Sequence, residues 1–151
     1  MNECIEVIFT EEYEPLRVFE LSNFLYNLKV LYSWLATSEE FQSYAEKREL
    51  EEVISTAKNI AQGISHKEIY PFYYSRGNLF RKDLTNRDIF IARIYKESPL
   101  TIWFMGITTF LVVSLIVSGG EMEISLTPPQ IKVKMSSLGE GIKKLKKAIR
   151  R

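Results

Sequence analysis

The residues that could carry chemistry are few and widely separated in this 151-residue chain. It contains one cysteine, Cys4, and one histidine, His66. A zinc site with nitrogen and sulfur ligands needs more of these side chains than the chain provides. His66 could act as a general base, but no motif around it identifies a nucleophile. Cys4 lies in the apolar stretch CIEVIF, so we expect a small buried thiol there.

The sequence also lacks the common catalytic and phosphate-binding motifs. It contains no GxSxG, no P-loop and no GxGxxG, and the stretch Gly139–Gly141 has neither the third glycine nor a preceding buried strand. Adjacent carboxylates lie in polar segments that are typical of solvated surfaces: Glu11–Glu12, Glu39–Glu40 and Glu51–Glu52. We therefore predict that the chain is not an enzyme. The sequence indicates no metal, cofactor or small-molecule substrate.

Charge is distributed unevenly along the chain. Residues 1–99 carry 12 Lys/Arg against 16 Asp/Glu, whereas residues 121–151 carry 8 against 3. The final segment combines an apolar stripe with basic residues, which is typical of a helix that binds an anionic membrane, nucleic acid or an acidic partner. The stripe is Leu138, Ile142, Leu145 and Ile149, and the predicted binding residues are Lys143, Lys144, Lys146, Lys147, Arg150 and Arg151. The alternative is that the stripe packs on the protein's own core.

One run of 19 residues, Leu100–Ser118, contains no charged side chain. A helix of that length covers roughly 28 Å, which is close to the hydrocarbon thickness of a bilayer. The run therefore predicts a transmembrane helix within 98–120, with Ser114 and Ser118 as a small-residue helix–helix contact. The residues assigned to the membrane are Leu100, Trp103, Phe104, Ile107, Phe110, Leu111, Leu115 and Ile116. The alternative is a buried core, because nine of the nineteen residues are β-branched.

The elements before this run indicate a small domain of strands and helices. Alternation predicts a strand over 4–10, with Ile5, Val7 and Phe9 on one face. Helical spacing predicts a helix over Val18–Ala36 that is apolar on two faces. Its second face, with Tyr26, Val30 and Trp34, is the predicted partner interface, and a central core helix is the alternative.

The next segments predict a second helix, an irregular region and another strand. Thr37 and Glu40 match the capping-box pattern, and a change in the apolar register predicts a helix break near 46–52. Residues 65–88 interleave aromatic and basic side chains, so the stretch Tyr70–Lys82 leaves nucleic-acid binding open as a third hypothesis. The β-branched and aromatic stretch Ile89–Tyr95 predicts a strand.

After the uncharged run, the alternation in EMEISL and IKVKM predicts two short strands, and Pro128–Pro129 argues against a two-residue hairpin turn between them. The predicted fold is therefore α+β: a domain over 1–97, a transmembrane segment over 98–120, and short strands with a basic helix over 121–151. The function that follows is a non-enzymatic membrane protein with a cytoplasmic partner-binding domain, since the N-terminus has no signal-peptide pattern. Such a protein would oligomerise in the bilayer or perturb it. The alternative is a soluble interaction or assembly module in which residues 100–118 form the buried core.

Overall fold

A mixed five-stranded sheet organises the described part of the chain. The computed structural model describes residues 4–11, 16–47, 49–64, 88–96, 99–126 and 129–149. The strands are β1 (Ile5–Phe9), β2 (Phe90–Tyr95), β3 (Leu100–Met105), β4 (Glu121–Leu126) and β5 (Pro129–Met135). Their order in the sheet is β2-β3-β1-β5-β4. The central strand β1 is antiparallel to β3 and parallel to β5, and the two outer pairs are antiparallel.

The helices of the described residues share one core with one face of this sheet. They are α1 (Val18–Thr37), a 3-10 helix (Glu39–Glu46), α2 (Leu50–Ile64), α3 (Thr108–Val117) and α4 (Leu138–Ile149). Ile5, Val7 and Phe9 of β1 are fully buried and belong to the same apolar cluster as the buried residues of the helices. Alternate residues such as Glu6 point to the opposite face, as the twofold period of a strand requires. The predicted α+β fold class is confirmed.

The uncharged run forms a strand and a short helix. It is divided by Gly106, where a Cβ atom would lie 3.0 Å from the Tyr32 hydroxyl. That hydroxyl accepts a 2.7 Å hydrogen bond from the backbone N–H of Ile107, immediately before α3. A side chain at position 106 would crowd the hydrogen bond between Tyr32 and Ile107. Glycine fits at this turn because it has no side chain.

The prediction of one transmembrane helix over 98–120 is therefore not supported. No helix in the described ranges is long and apolar enough to cross a membrane. The ten residues of α3 span about 15 Å. Five of the residues assigned to the membrane are buried in the core, namely Leu100, Phe104, Phe110, Leu111 and Leu115. Trp103, Ile107 and Ile116 are half-buried. The apolar character of α3 on all sides reflects its packing against α1, α2 and α4.

Most of the other predicted elements are present, with local differences. Strands and helices lie where periodicity placed them, and the break before α2 separates it from the 3-10 helix. The capping box is not formed, because Thr37 is the last residue of α1 and its Oγ1 donates to the Ser33 carbonyl at 2.7 Å. Cys4 is exposed, not buried. Cys4 is two residues from Glu6, so it lies on the same side of the strand as Glu6 and not on the side of Ile5.

The prolines argued against a two-residue connection between the last two strands. The register contradicts this expectation, because Leu126 at the end of β4 lies opposite Pro129 at the start of β5, with two residues between them in the sequence. The strands of the sheet come from all three of the segments predicted as separate units, since β1 and β2 precede residue 98, β3 follows it, and β4 and β5 follow residue 120.

Candidate interaction surface

The edge strand β2 is the most exposed apolar element of the described sheet. All six of its residues are exposed. Its four large apolar side chains retain much of their accessible surface: Phe90 50%, Ile91 44%, Ile94 38% and Tyr95 48%. An edge strand also presents backbone N–H and C=O groups that can pair with another strand. The strand thus combines main-chain hydrogen-bonding capacity with apolar side chains.

A β-bulge determines which way these side chains point. The register between β2 and β3 shifts between Ile91 and Arg93, so Ala92 is the extra residue. Before the bulge, Ile91 lies opposite the buried Phe104, and after it Ile94 lies opposite the buried Ile102. Both isoleucines therefore lie on the helix side of the sheet.

The remaining side chains of β2 lie on the opposite face. Phe90, Arg93 and Tyr95 lie opposite Met105, Trp103 and Thr101. The guanidinium carbon of Arg93 is 5.2 Å from the centre of the Trp103 ring and 5.9 Å from that of Tyr95. These distances are typical of cation–π contacts. Arg93 is therefore held over aromatic rings of its own chain. The strand β2 has apolar side chains on both faces, and the bulge determines which of them share a face.

The other edge strand, β4, carries charges where β2 carries aromatic rings. Lys134 of the neighbouring strand β5 contacts Glu123 at 2.9 Å, and Lys132 contacts Glu6 at 3.6 Å. The hydrogen bond from Lys134 lowers the pKa of Glu123 below its ordinary value, and the same bond raises the pKa of Lys134. Charged side chains on an edge oppose pairing with further strands. The β4 edge is therefore protected in a way that β2 is not.

The β4–β5 hairpin also borders a small surface depression. Its volume is about 140 Å³, and it is lined by Glu123, Ile124, Ser125, Gln130 and Lys132. Sites for small organic ligands typically begin at about 300 Å³. Across the residues that the structure describes, no three His, Cys, Asp or Glu side chains are grouped as metal ligands. The depression is therefore smaller than a typical site for a small organic ligand.

The predicted basic surface on α4 is present in part. Lys143, Lys144 and Lys147 are exposed and Lys146 is half-buried, whereas Arg150 and Arg151 lie outside the described residues. The apolar stripe of Leu138, Ile142, Leu145 and Ile149 is buried against the rest of the protein. This is the arrangement expected of a stripe that packs on its own core.

The three residues predicted as a partner interface on α1 do not form one exposed surface. Tyr26 is 45% exposed, whereas Val30 is fully buried. Trp34 is half-buried, and its ring lies 5.6 Å from that of Phe41 in an edge-to-face arrangement. The second apolar face of α1 is thus largely covered by the chain itself, as in the alternative of a core helix.

The two serines predicted as a helix–helix contact are both buried. Ser114 Oγ donates to the Phe110 carbonyl at 2.9 Å, and Ser118 Oγ donates to the Leu115 carbonyl at 2.8 Å. Their hydroxyls therefore satisfy backbone groups of α3. His66 and the stretch Tyr70–Lys82 lie outside the described residues, so the nucleic-acid hypothesis stays a prediction.

Comparison with protein-family models, curated proteins and solved structures finds no match for this chain. The β2 surface is therefore interpreted from its own geometry. Sequence analysis predicted the strand but missed its exposure. The available signal was the lack of apolar–polar alternation in FIARIY. A strand at the centre of a buried sheet and a bulged edge strand both lack this alternation, so the signal does not distinguish them.

Proposed function

We propose that this chain is a protein-interaction and assembly module that binds a protein partner along the β2 edge. The observation that carries the proposal is the exposure of four large apolar side chains on this one edge strand. A strand added to a sheet edge gains main-chain hydrogen bonds, and its alternate side chains supply specificity. The proposal retains the prediction that the chain is not an enzyme.

The contrast between the two edges supports β2 as the binding edge. A partner strand at β4 would have to approach the charged groups of Glu121, Glu123 and Lys134, which lose hydration when they are covered. A partner strand at β2 would cover Phe90, Ile94 and Tyr95, whose burial is favourable. The same backbone geometry therefore gives opposite energetic outcomes at the two edges.

A membrane-surface function has less support in this geometry. The apolar stripe of α4 belongs to the core, so within the described part of α4 binding to lipid would rely on the charges of its lysines, chiefly Lys143, Lys144 and Lys147. Stable membrane anchoring normally combines apolar insertion with basic residues. The interaction module is the function that the described surface supports best.

The proposal is tested with a tagged full-length chain and two matched variants. Ile94→Lys places a charge on the β2 edge, and Ile124→Lys places one on the β4 edge. The two isoleucines are comparably exposed, at 38% and 43%. Both lie opposite buried residues of the neighbouring strand, so both face the helix side. Circular dichroism checks that each variant folds.

The expected result is a protein that co-purifies in fixed proportion with the wild type and with Ile124→Lys, but not with Ile94→Lys. The captured protein is then purified, and the complex is reconstituted from its two components. A second, differently tagged copy of the chain is included as a candidate partner. Equal recovery with all three baits, or equal loss with both variants, contradicts the proposal.

A further inference from the structure

We propose that the partner at β2 is a second copy of this chain, paired antiparallel about a twofold axis so that the two sheets join edge to edge. The inference rests on the proposed function, because it names the occupant of the same edge. Its basis is the self-complementarity that the bulge creates in the strand Phe90–Tyr95.

Twofold symmetry makes every contact between the two strands reciprocal. An isologous contact is reciprocal, so if Phe90 lies opposite the partner's Tyr95, then Tyr95 lies opposite the partner's Phe90. The same register places Ile91 opposite the partner's Ile94. The twofold axis then passes between Ala92 and Arg93. Opposed residues of an antiparallel pair lie on the same face of the sheet and contact each other.

The faces match in this register because of the bulge. Phe90 and Tyr95 are five residues apart, and in a regular strand they would point to opposite faces. The register shift at Ala92 puts both on the face away from the helices, and it puts Ile91 and Ile94 together on the helix side. The dimer would therefore contain two Phe–Tyr pairs on one face and two Ile–Ile pairs on the other.

Neighbouring registers lose this match. A shift by one residue in either direction places Ile91 opposite the partner's Arg93 or opposite the partner's Tyr95. These residues lie on the face opposite to Ile91. A one-residue slip therefore exchanges every apolar pair for a mismatch between faces. The pattern of β2 selects one register, as expected of a specific interface.

The charge at the twofold axis is compatible with the pairing. Arg93 lies opposite the partner's Ala92, the smallest side chain of the strand, and diagonally across the axis from the partner's Arg93. Its guanidinium lies over Trp103 and Tyr95 of its own chain, at 5.2 and 5.9 Å from the ring centres. The aromatic rings hold the charge away from the neighbouring copy.

The first test measures the mass of the purified full-length chain in solution. Sedimentation velocity over a concentration series should give a species of about twice the 17.6 kDa chain mass. Ile94→Lys should weaken dimerisation by at least about 100-fold, because two ammonium groups would be covered in each dimer. Ile124→Lys should dimerise like the wild type.

The second test determines the register. Two variants, Phe90→Cys and Tyr95→Cys, are prepared with Cys4→Ser to remove the exposed native thiol. Air oxidation of the mixture should give a disulfide-linked dimer, because positions 90 and 95 lie opposite each other. Either variant alone should give little, since identical positions would be roughly 17 Å apart along the strands.

Each outcome supports or overturns the inference. A dimer that is lost in Ile94→Lys, with cross-linking specific to the mixture, supports it. A chain that is monomeric throughout, a dimer that persists in Ile94→Lys, or cross-linking that is equal in single-variant samples overturns it. A monomeric chain that still captures a different protein through β2 overturns only the second copy as occupant. If the chain neither dimerises nor captures another protein through β2, the proposed function is overturned as well.

Discussion

The two edge strands of this sheet, β2 and β4, differ in the side chains that lie along the backbone groups available for pairing. Both end a five-stranded sheet, and both are joined to their neighbour by antiparallel pairing. The β4 edge carries Glu121 and Glu123 beside Lys134, a pattern that opposes further strand pairing. The β2 edge carries apolar side chains on both faces of the sheet. The comparison shows that two edges of one sheet differ in their side chains and in one bulge. We propose that this difference determines which edge associates.

The largest expected effect comes from the centre of the sheet, which supports both edges. Phe104 of β3 is fully buried. Phe104→Ala should lower the free energy of unfolding by about 3–5 kcal/mol, because it removes apolar contacts and leaves a cavity. Urea unfolding measures the loss, and hydrogen exchange should show β2 and β4 losing protection together.

Thr101→Ala is the control, since Thr101 lies on the other face of the same strand and should cost less than about 1 kcal/mol. If β2 lost its protection while β4 kept it, the two edges would not share one cooperative core.

A smaller effect is expected where β4 begins. A Cβ atom at Gly120 would collide with Val133 Cγ1 and would lie 2.8 Å from the Leu115 carbonyl oxygen. Gly120→Ala should therefore destabilise the protein by about 1–3 kcal/mol and loosen β4 before β2. Thermal or urea unfolding gives the cost.

Gly63→Ala provides the matched control, because no described residue lies within 4 Å of its added methyl group. In α2 this change should stabilise the protein by about 0.5–1 kcal/mol. A neutral Gly120→Ala variant would show that β4 approaches the core less closely than the structure indicates.

The attachment of β2 should respond to the loss of the Arg93 guanidinium. Arg93→Ala removes its contacts with Trp103 and Tyr95 and should cost about 0.5–1 kcal/mol, the range for exposed cation–π pairs. In a Trp34→Phe background, Trp103 is the one tryptophan left, and its emission should shift. Unchanged emission would mean that Arg93 does not lie over the ring in solution.

The smallest effect is expected in the pH response of the β4 edge. The hydrogen bond from Lys134 lowers the pKa of Glu123 in the folded chain. Ionised Glu123 therefore contributes its full stabilisation at pH values above the pKa that Glu123 has in the unfolded chain. This stabilisation is lost as the pH falls through the folded-state pKa. For Lys134, whose folded pKa is raised, the contribution is present at neutral pH and is lost as the pH rises through that raised value.

Lys134→Met should therefore return the pKa of Glu123 towards its ordinary value in an NMR titration. Lys132→Met should change the pKa of Glu123 less, because the attraction from Lys132 contributes least to the shift. An unchanged Glu123 pKa in Lys134→Met would remove the ion pair from the description of this edge.

Periodicity was sufficient to predict the individual elements but not their partners. The alternation of Ile5, Val7 and Phe9 identified β1, and helical spacing identified α1 and the stripe of α4. What each face packs against depends on tertiary contacts that a single segment does not contain. This is why the apolar stripe of α4 and Val30 of α1, both expected at external surfaces, are buried in the protein itself.

The uncharged run shows where composition becomes ambiguous. A strand followed by a helix enclosed by other helices has the same apolar content as a membrane span. The missed signal was Gly106, which stands between the alternating stretch LTIWFM and the helix that starts at Thr108. The β2 surface was missed for a related reason, because neither the edge position nor the bulge at Ala92 leaves a mark in composition.

The difference between the edges is tested most directly by hydrogen–deuterium exchange of the full-length chain at low and high concentration. Peptides that cover residues 90–95 and 121–126 report the two edge strands separately. We predict that exchange in β2 slows as the concentration rises, whereas exchange in β4 does not change. Exchange in β2 that is independent of concentration, or equal slowing in β4, would contradict the assignment of β2 as the surface through which the chain associates.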